Sequence, residues 1–344
     1  MNNRILVFRM GAFGDTLITT PVIHTLFNMG YKITYVCNER GIQVLKNNPY
    51  IEKIIEQKTD SVPINQLADH IEWLRKKNHC DRIVDFSESI EVSLSQHPRG
   101  PNYKLPKAER FARFNRNFYE FSFEWATSKL DGMKIESESY IPELFFDNGE
   151  IDRAKGYLQP EKYNVLFGMS GSGHNKCWPY SKTLSEQIVE QFPDVHIITV
   201  GDDRCQLIEP QVEGRITNLS GKCSMRESMA LTSLVDLVIS PDTGLLHASG
   251  CYDTPKIALL GHNTHECISK HFKNAYPIES NPNLAQCSPC FFLIYDMKNQ
   301  CPIDTERGNY DVPSHGAMCM SRGIPQDVVF RKFQEIYAES KKRG

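Results

Sequence analysis

Two glycines and an acidic residue lie close together near the start of the chain, in RMGAFGDTLITTP (9–21). Gly11 and Gly14 allow a tight backbone turn, and a helix that follows such a turn offers N–H groups to an anion. The segment lacks the third glycine of a dinucleotide-binding loop and the Gly-Lys-Ser/Thr of a Walker loop. Asp15 can therefore act either as the N-cap of a helix or as a general base.

A second group of polar residues lies in VDLVISPDTGLLHASG (235–250), where an apolar run leads into a predicted helix. The N–H groups of Thr243 and Gly244 can hold a diphosphate at the start of this helix. Asp242 can accept hydrogen bonds from sugar hydroxyls, and His247 lies one turn further on the same side. Asp-Thr-Gly also occurs in aspartic proteases, but in all-β surroundings. We therefore expect a diphosphate-sugar site here, with a structural histidine as the alternative for His247.

Two further segments after predicted strands carry charged residues. In GMSGSGHNKCWP (168–179), several small residues allow a ligand to approach the backbone, and Lys176 can pair with a phosphate. In GDDRC (201–205), Asp202 or Asp203 can either hold ribose hydroxyls or cap the next helix. The alternative for Lys176 is a solvated surface lysine.

Four of the 11 cysteines lie in one loop-rich segment near the end of the chain. They are Cys287, Cys290, Cys301 and Cys319. A close Cys-x-x-Cys pair with two more distant thiolates suits tetrahedral zinc or iron, which would be structural and would fix a long loop. We expect a reducing compartment, in which disulfides are disfavoured. The alternative to a metal site is therefore a set of reduced thiols that pack within the loop.

A basic segment over residues 99–116 combines cations with aromatic residues. It holds Arg99, Lys104, Lys107, Arg110, Arg113 and Arg116 against Glu109 alone, with Tyr103, Phe111 and Phe114 between them. We predict a helix on which Arg110, Arg113 and Arg116 lie near one another. Such a face suits an anionic acceptor, either a phosphorylated or acidic glycan or a nucleic acid, and a solvated helix face is the alternative.

The elements around these residues alternate between strands and helices in two blocks. We predict strands at 4–8, 32–37, 52–56 and 82–86, and again at 163–168, 195–201, 236–240 and 256–261. Predicted helices include 181–192, 224–233, 243–251 and 325–342. Strands that alternate with helices favour parallel sheets, and such sheets bind ligands at the carboxyl ends of their strands. The alternation breaks between about 88 and 150, so we predict two α/β domains with a boundary near 155.

The composition excludes several broad classes. With 40% hydrophobic and 24% charged residues, the 344-residue chain is typical of soluble globular proteins. Its net charge of −3 argues against a protein that binds nucleic acid with its whole surface. We find no apolar run of membrane-spanning length and expect no signal peptide, so we predict a cytoplasmic protein.

The two main motifs, in this order and far apart in the chain, resemble those of glycosyltransferase family nine, the ADP-heptose:lipopolysaccharide heptosyltransferases. The resemblance is strongest at 4–21 and 235–261, and NKCWP, LSGKCSMRESMAL and CSPC…CM…IPQDVV match weaker signatures. It implies an α/β GT-B fold with two Rossmann-like domains that face a cleft. Residues 1–155 would bind the acceptor, and residues 156–324, with a Cys-rich loop at 284–320, would bind the donor. The last helix, 325–344, would pack back on the first domain.

The resemblance also implies an inverting transfer of a heptose-like sugar from a nucleotide-diphosphate donor, with no metal needed for catalysis. Asp15 matches the family's base, and Gly11 and Gly14 would bring the acceptor close to it. The positions that match the donor site are Lys176, Asp242, Thr243, Gly244 and His247. Asp203 stands where the family has a ribose-binding glutamate, and this shorter side chain is a departure from the family pattern.

The acceptor and the cysteines leave several alternatives open. The resemblance implies a lipopolysaccharide core as acceptor, at the inner face of the membrane, while a protein or a modified DNA base would fit the same chemistry. In relatives that heptosylate bacterial autotransporters, a similar cysteine cluster holds iron. A nucleotide-sugar-binding protein without catalytic activity is the alternative from another functional class.

Overall fold

A computed structural model describes residues 3–58, 62–86, 105–130, 133–171, 173–291 and 317–343 of the chain. The chain divides into two compact units. The first unit comprises residues 1–97 and 116–147, and the second comprises 98–115 and 148–344. This division differs from the predicted boundary near 155, because residues 98–115, assigned to the first domain from the sequence, belong to the second unit.

Four parallel strands form the sheet of the first unit. They are β1 (Arg4–Phe8), β2 (Lys32–Cys37), β3 (Ile51–Glu56) and β4 (Arg82–Asp85), in the order β3-β2-β1-β4. The apolar side chains of β1 and β2 are fully buried, which explains the continuous apolar runs in their sequences. The chain proceeds from β1 to β2 and β3 on one side and returns to β4 on the other. This change of direction between β1 and β4 is a topological switch point, where ligands bind in open α/β sheets.

Six parallel strands form the sheet of the second unit. They are β5 (Tyr163–Gly168), β6 (Val195–Val200), β7 (Ile216–Asn218), β8 (Leu237–Pro241), β9 (Lys256–Leu260) and β10 (Ala275–Glu279). Their order, β10-β9-β8-β5-β6-β7, is the Rossmann order with a switch point between β5 and β8. All of the predicted strands are present within one residue of their predicted bounds. The unpredicted strands β7 and β10 lie at the sheet edges and are mostly only half-buried, so their sequences lack a continuous apolar run.

The helices lie between and beside the strands in both units. They are α1 (Phe13–Asn28), α2 (Glu39–Leu45), α3 (Leu67–Lys77), α4 (Lys107–Phe114), α5 (Phe118–Lys129), α6 (Asn148–Lys155), α7 (Ser181–Gln191), α8 (Met225–Leu231), α9 (Gly244–Ser249), α10 (His265–Ile268), α11 (Met318–Ser321) and α12 (Gln326–Arg343). Among the described residues, no helix combines the length and the apolar character that crossing a bilayer requires.

In the described part of the basic segment, one short helix, α4, forms, and it ends before Arg116. Helix α4 ends at Phe114, and the side chain of Asn117 caps α5 by accepting hydrogen bonds from the next N–H groups. Arg116 therefore lies between the two helices, and it belongs to the first unit while Arg110 and Arg113 belong to the second. The predicted alignment of these three arginines on one helix face is wrong.

The last helix, α12, packs into the core of the second unit. Its Val329, Phe333 and Ile336 lie in the same apolar cluster as Trp178, which is fully buried. The Trp178 indole N–H donates to the carbonyl of Ile324, directly before the helix, over 2.8 Å. These contacts fix the helix on the second unit, and its implied packing on the first domain stays a prediction.

Candidate functional site

The carboxyl ends of β5, β8 and β9 converge on the side chain of Asp242. Lys176 Nζ lies 3.4 Å from Asp242 Oδ2, and His247 Nε2 lies 3.5 Å from Oδ1. Asn263 Nδ2 donates a 2.8 Å hydrogen bond to Oδ2, and His262 Nε2 lies 3.7 Å from the same oxygen. We call these five residues the Asp242 cluster. It stands at the switch point of the second sheet, where the sequence predicts the donor site.

The Asp242 cluster contains a buried carboxylate, and its neighbours keep it charged. Burial alone would raise the pKa of Asp242, but the Lys176 ammonium and the hydrogen bond from His247 hold it well below its usual range. Burial lowers the pKa of His262 to about 4, against the opposing effect of Asp242. His262 is therefore a neutral imidazole near pH 7 and adds no charge of its own.

The loop after β5 approaches the start of α9 closely because it contains Gly171. A Cβ atom on Gly171 would lie 2.8 Å from Lys176 Cβ and 2.9 Å from Thr243 Cγ2. The Gly171 N–H donates to the Lys176 carbonyl over 3.0 Å, which closes the turn. The Lys176 side chain is 24% exposed while that of Asp242 is 7% exposed, so an anion from solvent can reach the lysine.

Thr243 and Gly244 form the beginning of α9, as the sequence predicts. Thr243 is extended, with φ −141°, and its hydroxyl lies 3.0 Å from that of Ser240. The first N–H groups of a helix have no acceptor within the helix, so they can bind an anion. His247 is buried on this helix and faces both Asp242 and the ring of Phe272.

Asp203 lies after β6 at the start of a short 3-10 helix, Asp203–Ile208. The cap of that helix is Asp202, which accepts the Cys205 N–H over 3.2 Å and pairs with Arg204. Of the two acids for which the sequence left both roles open, Asp202 thus takes the capping role. The exposed Asp203 carboxylate faces solvent at the same edge of the sheet.

A second acid, the half-buried Asp15, lies at the switch point of the first sheet. Asp15 Oδ1 pairs with Arg9 Nη2 over 2.9 Å, and Oδ2 accepts the Ala12 N–H over 2.6 Å. Arg9 Nη1 also donates to the carbonyl of Phe86, directly after β4, over 3.3 Å. Arg9 was not predicted as a site residue, although its position directly after β1 is the available signal.

Gly11 provides the space that the Asp15 carboxylate occupies. Its φ of +144° lies in a region that favours glycine, and a Cβ atom there would lie 2.5 Å from Asp15 Oδ2. Asn38 Nδ2 donates to the Gly11 carbonyl over 2.9 Å and so holds the turn. Gly14 is buried within the first turn of α1. The turn therefore fixes the position of the Asp15 carboxylate.

A family comparison decides the class of this protein. The model of Glycosyltransferase family 9 (heptosyltransferase) matches residues 121–293, which is half of the chain. The chain belongs to glycosyltransferase family 9. It is therefore a glycosyltransferase, as the sequence analysis predicts.

Individual relatives agree with this assignment. Lipopolysaccharide heptosyltransferase 1 of Campylobacter coli is 21% identical over 307 residues, which cover 81% of this chain and 88% of the relative. The ADP-heptose lipopolysaccharide heptosyltransferase II of E. coli has a TM-score of 0.64 at 14% identity, over 98% of this chain and 99% of the other. The iron-containing dodecameric glycosyltransferase TibC of enterotoxigenic E. coli H10407 has a TM-score of 0.59 at 12% identity, over 99% and 80%. These structural likenesses confirm the predicted GT-B fold class.

The basic segment of this family 9 chain makes mostly internal contacts. Arg110 is buried, and its guanidinium donates to the carbonyls of Cys290, over 2.7 Å, and Leu105. Arg113 pairs with Glu109, and Arg116 pairs with Glu124. Arg110 thus supports a loop of the second unit, while Arg113 and Arg116 remain exposed. Arg99, Tyr103 and Lys104 lie outside the described residues.

Two parts of the chain that carry predicted metal ligands approach Gly261, at the end of β9. The Ser288 hydroxyl, between Cys287 and Cys290, donates to the Gly261 carbonyl over 2.6 Å. A Cβ atom on Gly261 would lie 3.0 Å from Cys319 Sγ. Cys301 lies outside the described residues, and among those described no three His, Cys, Asp or Glu side chains are grouped as a metal site.

Proposed function

We propose that this family 9 enzyme transfers heptose from ADP-heptose to a hydroxyl group of a lipopolysaccharide-like core, with inversion at the anomeric carbon. The choice of donor and acceptor is supported by its relatives, which include an ADP-heptose enzyme and a lipopolysaccharide heptosyltransferase. The observation that carries the proposal is the Asp242 cluster, a buried carboxylate beside a reachable lysine at a Rossmann switch point.

In this proposal, the second unit binds ADP-heptose. The Lys176 ammonium and the N–H groups of Thr243 and Gly244 bind the diphosphate and stabilise the charge that develops on it as it leaves. Asp242 accepts hydrogen bonds from the sugar hydroxyls. His247 orients Asp242 from its other oxygen, and Asp203 holds the ribose.

Asp15 acts as the general base on the acceptor. The acceptor oxygen forms a bond to the anomeric carbon while the bond from that carbon to the diphosphate oxygen breaks. The proton of the acceptor hydroxyl passes to Asp15, and ADP leaves with the electron pair of the broken bond. Arg9 and the Ala12 N–H hold the carboxylate in one orientation, which supports this role.

The acceptor is an anionic glycan in this proposal, and the enzyme works in the cytoplasm at the inner face of the membrane. Within the described part of the basic segment, the side chains of Arg113 and Arg116 are exposed and can contact such an acceptor. Arg110 does not contact the acceptor in this proposal, because its guanidinium donates to backbone carbonyls. A protein or a modified DNA base as acceptor is an outcome of the assay below.

The proposal is tested by measuring ADP release from ADP-heptose in the presence of lipopolysaccharide core that lacks heptose. In Asp15→Ala, we expect kcat to fall by about 100-fold or more, since general-base catalysis contributes about that much, while the Kd for ADP stays unchanged. In Lys176→Ala, we expect the Kd for ADP to rise, because a cation at the diphosphate is lost.

Each variant serves as the control for the other, because one belongs to the acceptor step and the other to donor binding. Full activity of Asp15→Ala would end the assignment of the base. Unchanged ADP affinity in Lys176→Ala would contradict the donor site. Transfer to a peptide or to DNA, with none to the glycan, would replace the acceptor.

We further propose that Cys287, Cys290, Cys301 and Cys319 hold a structural iron or zinc ion. Support comes from the approach of the Cys287–Cys290 turn and of Cys319 to Gly261 and from the iron-containing relative TibC. Tetrahedral thiolate sites fix loops that lack an apolar core of their own. The ion takes no part in the transfer described above.

A further inference from the structure

Asn263 makes the shortest contact to the Asp242 carboxylate. Its Nδ2 donates to Oδ2 over 2.8 Å, whereas Lys176, His247 and His262 lie 3.4 to 3.7 Å from the carboxylate oxygens. Asn263 is 1% exposed, and its Oδ1 has no hydrogen-bond partner among the described residues. A buried amide oxygen without a hydrogen bond costs free energy. The donation from Asn263 to Asp242 is kept in spite of this cost, which indicates that it has a function.

The charge balance of the Asp242 cluster changes when a diphosphate binds. Among the residues that the structure describes, Lys176 is the one lysine or arginine within 4 Å of Asp242, and it is the group that a diphosphate attracts. A buried carboxylate that loses its cation is strongly destabilised unless other donors remain. His262 is neutral because burial lowers its pKa to about 4, and the Asn263 amide donates at any pH.

We propose that Asn263 is a positioning residue of the donor site, which holds the Asp242 carboxylate charged and oriented toward the sugar when the diphosphate draws Lys176 away. This inference rests on the proposed function. It gives the turn after β9 a role in a donor site whose proposed ligand-contacting residues follow β5, β6 and β8. Asn263 acts through Asp242 and does not itself contact the donor.

The first test compares two buried asparagines of the second unit. Asn263→Leu removes the amide donor and keeps the approximate side-chain shape. Asn164→Leu is the matched control, because Asn164 is also buried and donates to carbonyls, those of Gln159 and Lys162, at the start of β5. Both variants should lower the melting temperature of the full chain.

The two variants should differ in their affinity for ADP-heptose. In Asn263→Leu, we expect the Kd for ADP-heptose to rise by about 10- to 100-fold, the effect of losing a hydrogen bond to a charged group, and the Kd for ADP to rise less. In Asn164→Leu, both values should stay unchanged. An unchanged Kd for ADP-heptose in Asn263→Leu would overturn the proposal.

The second test uses Asn263→Asp, which changes charge and almost no volume. Near pH 7 the new carboxylate repels Asp242, and we expect weak ADP-heptose binding. Because two adjacent carboxylates raise one pKa of the pair, lowering the pH adds a shared proton that restores a hydrogen bond to Asp242. The affinity of this variant should therefore recover as the pH falls from about 8 to about 5.

The wild-type pH profile serves as the reference for this recovery. Comparison with it accounts for the changes in affinity that come from titration of the groups already present. In the described part of the chain, the titratable groups that face Asp242 are Lys176, His247 and His262. A profile of Asn263→Asp parallel to that of the wild type would overturn the proposal, even if Asn263→Leu fails to fold.

A third variant, Asp242→Asn, separates this inference from the proposed function. If Asp242→Asn binds ADP-heptose like the wild type, the proposed donor site itself is wrong. If Asp242→Asn weakens binding while both Asn263 variants bind normally, the donor site stands and the positioning role of Asn263 is wrong.

Discussion

At the scale of single residues, each unit contains an acid at the switch point of its sheet, paired with one cation, and this acid is half-buried in the first unit and buried in the second. Asp15 pairs with Arg9, and Asp242 pairs with Lys176. The two cations differ in exposure, because the Arg9 side chain is 7% exposed and that of Lys176 is 24% exposed. Arg9 is therefore suited to hold its acid permanently, whereas Lys176 can exchange its partner for an anionic ligand.

The pair of Arg9 and Asp15 predicts non-additive changes in stability. In Arg9→Met we expect the free energy of unfolding to fall by about 2 kcal/mol, because a half-buried carboxylate loses a charged hydrogen-bond donor. In Arg9→Met with Asp15→Asn we expect a smaller loss, since no uncompensated charge remains. Urea denaturation of the full chain measures both values.

The single variant Asp15→Asn completes this double-mutant cycle. If the losses of the two single variants simply add in the double variant, the two residues are energetically independent, and the pair does not fix the carboxylate.

The sequence identified most of the candidate residues at this scale but not their partners. Asp15, Lys176 and Asp242 follow strands that apolar runs predict, and this position is itself the signal. Asn263 and Arg9 were missed, although Arg9 directly follows a predicted strand and Asn263 follows one by two residues. Their importance depends on which acid they contact, and the order of residues along the chain does not contain that information.

At the scale of elements, helix α4 is attached to the Cys287–Cys290 turn by several side-chain contacts. Lys107 donates to the carbonyls of Gln286, over 2.9 Å, and Ser288, over 2.5 Å. Arg110 donates to Cys290, and the rings of Phe111 and Phe291 meet edge to face. The alternation of cations and aromatic residues that suggested an acceptor face thus serves, in part, to attach α4 to this turn.

The proposed metal predicts bound iron or zinc in the purified full chain. We expect elemental analysis to find the metal in stoichiometric amount and to find it lost in Cys287→Ser with Cys290→Ser. The thermal stability of the second unit should fall with it, since metal binding contributes to folding free energy.

The matched control is Cys80→Ser, because Cys80 is a buried thiol of the first unit. It should retain the metal. Wild-type protein that is purified without oxygen or chelators and holds neither iron nor zinc would refute this site.

At the scale of the whole molecule, the chain repeats one design in two units. Each unit has a parallel sheet with a switch point beside its first strand, and polar residues follow the strands on both sides of that point. The second sheet extends the first pattern by two strands and brings a third turn, after β9, to the site.

This organisation predicts where ADP protects the chain from hydrogen exchange. We expect the strongest protection at 168–176, 240–247 and 261–264, because ligands that bind only the folded state suppress local opening where they bind. Lys176→Ala at the same ADP concentration is the control and should show less protection. Protection confined to residues 9–15 would contradict the donor site in the second unit.

The sequence by itself determined the eight predicted strands, the alternation of strands and helices that makes the sheets parallel, the two motifs and the family. These features depend on local periodicity and on residue types that stand next to one another. Only the tertiary structure decided which cation pairs with which acid, that Arg110 is buried, and that Asn263 donates to Asp242. The physical reason is that these contacts join residues far apart in the chain, 21 positions for Asn263 and Asp242 and 180 for Arg110 and Cys290, so that packing of the sheets and loops brings them together.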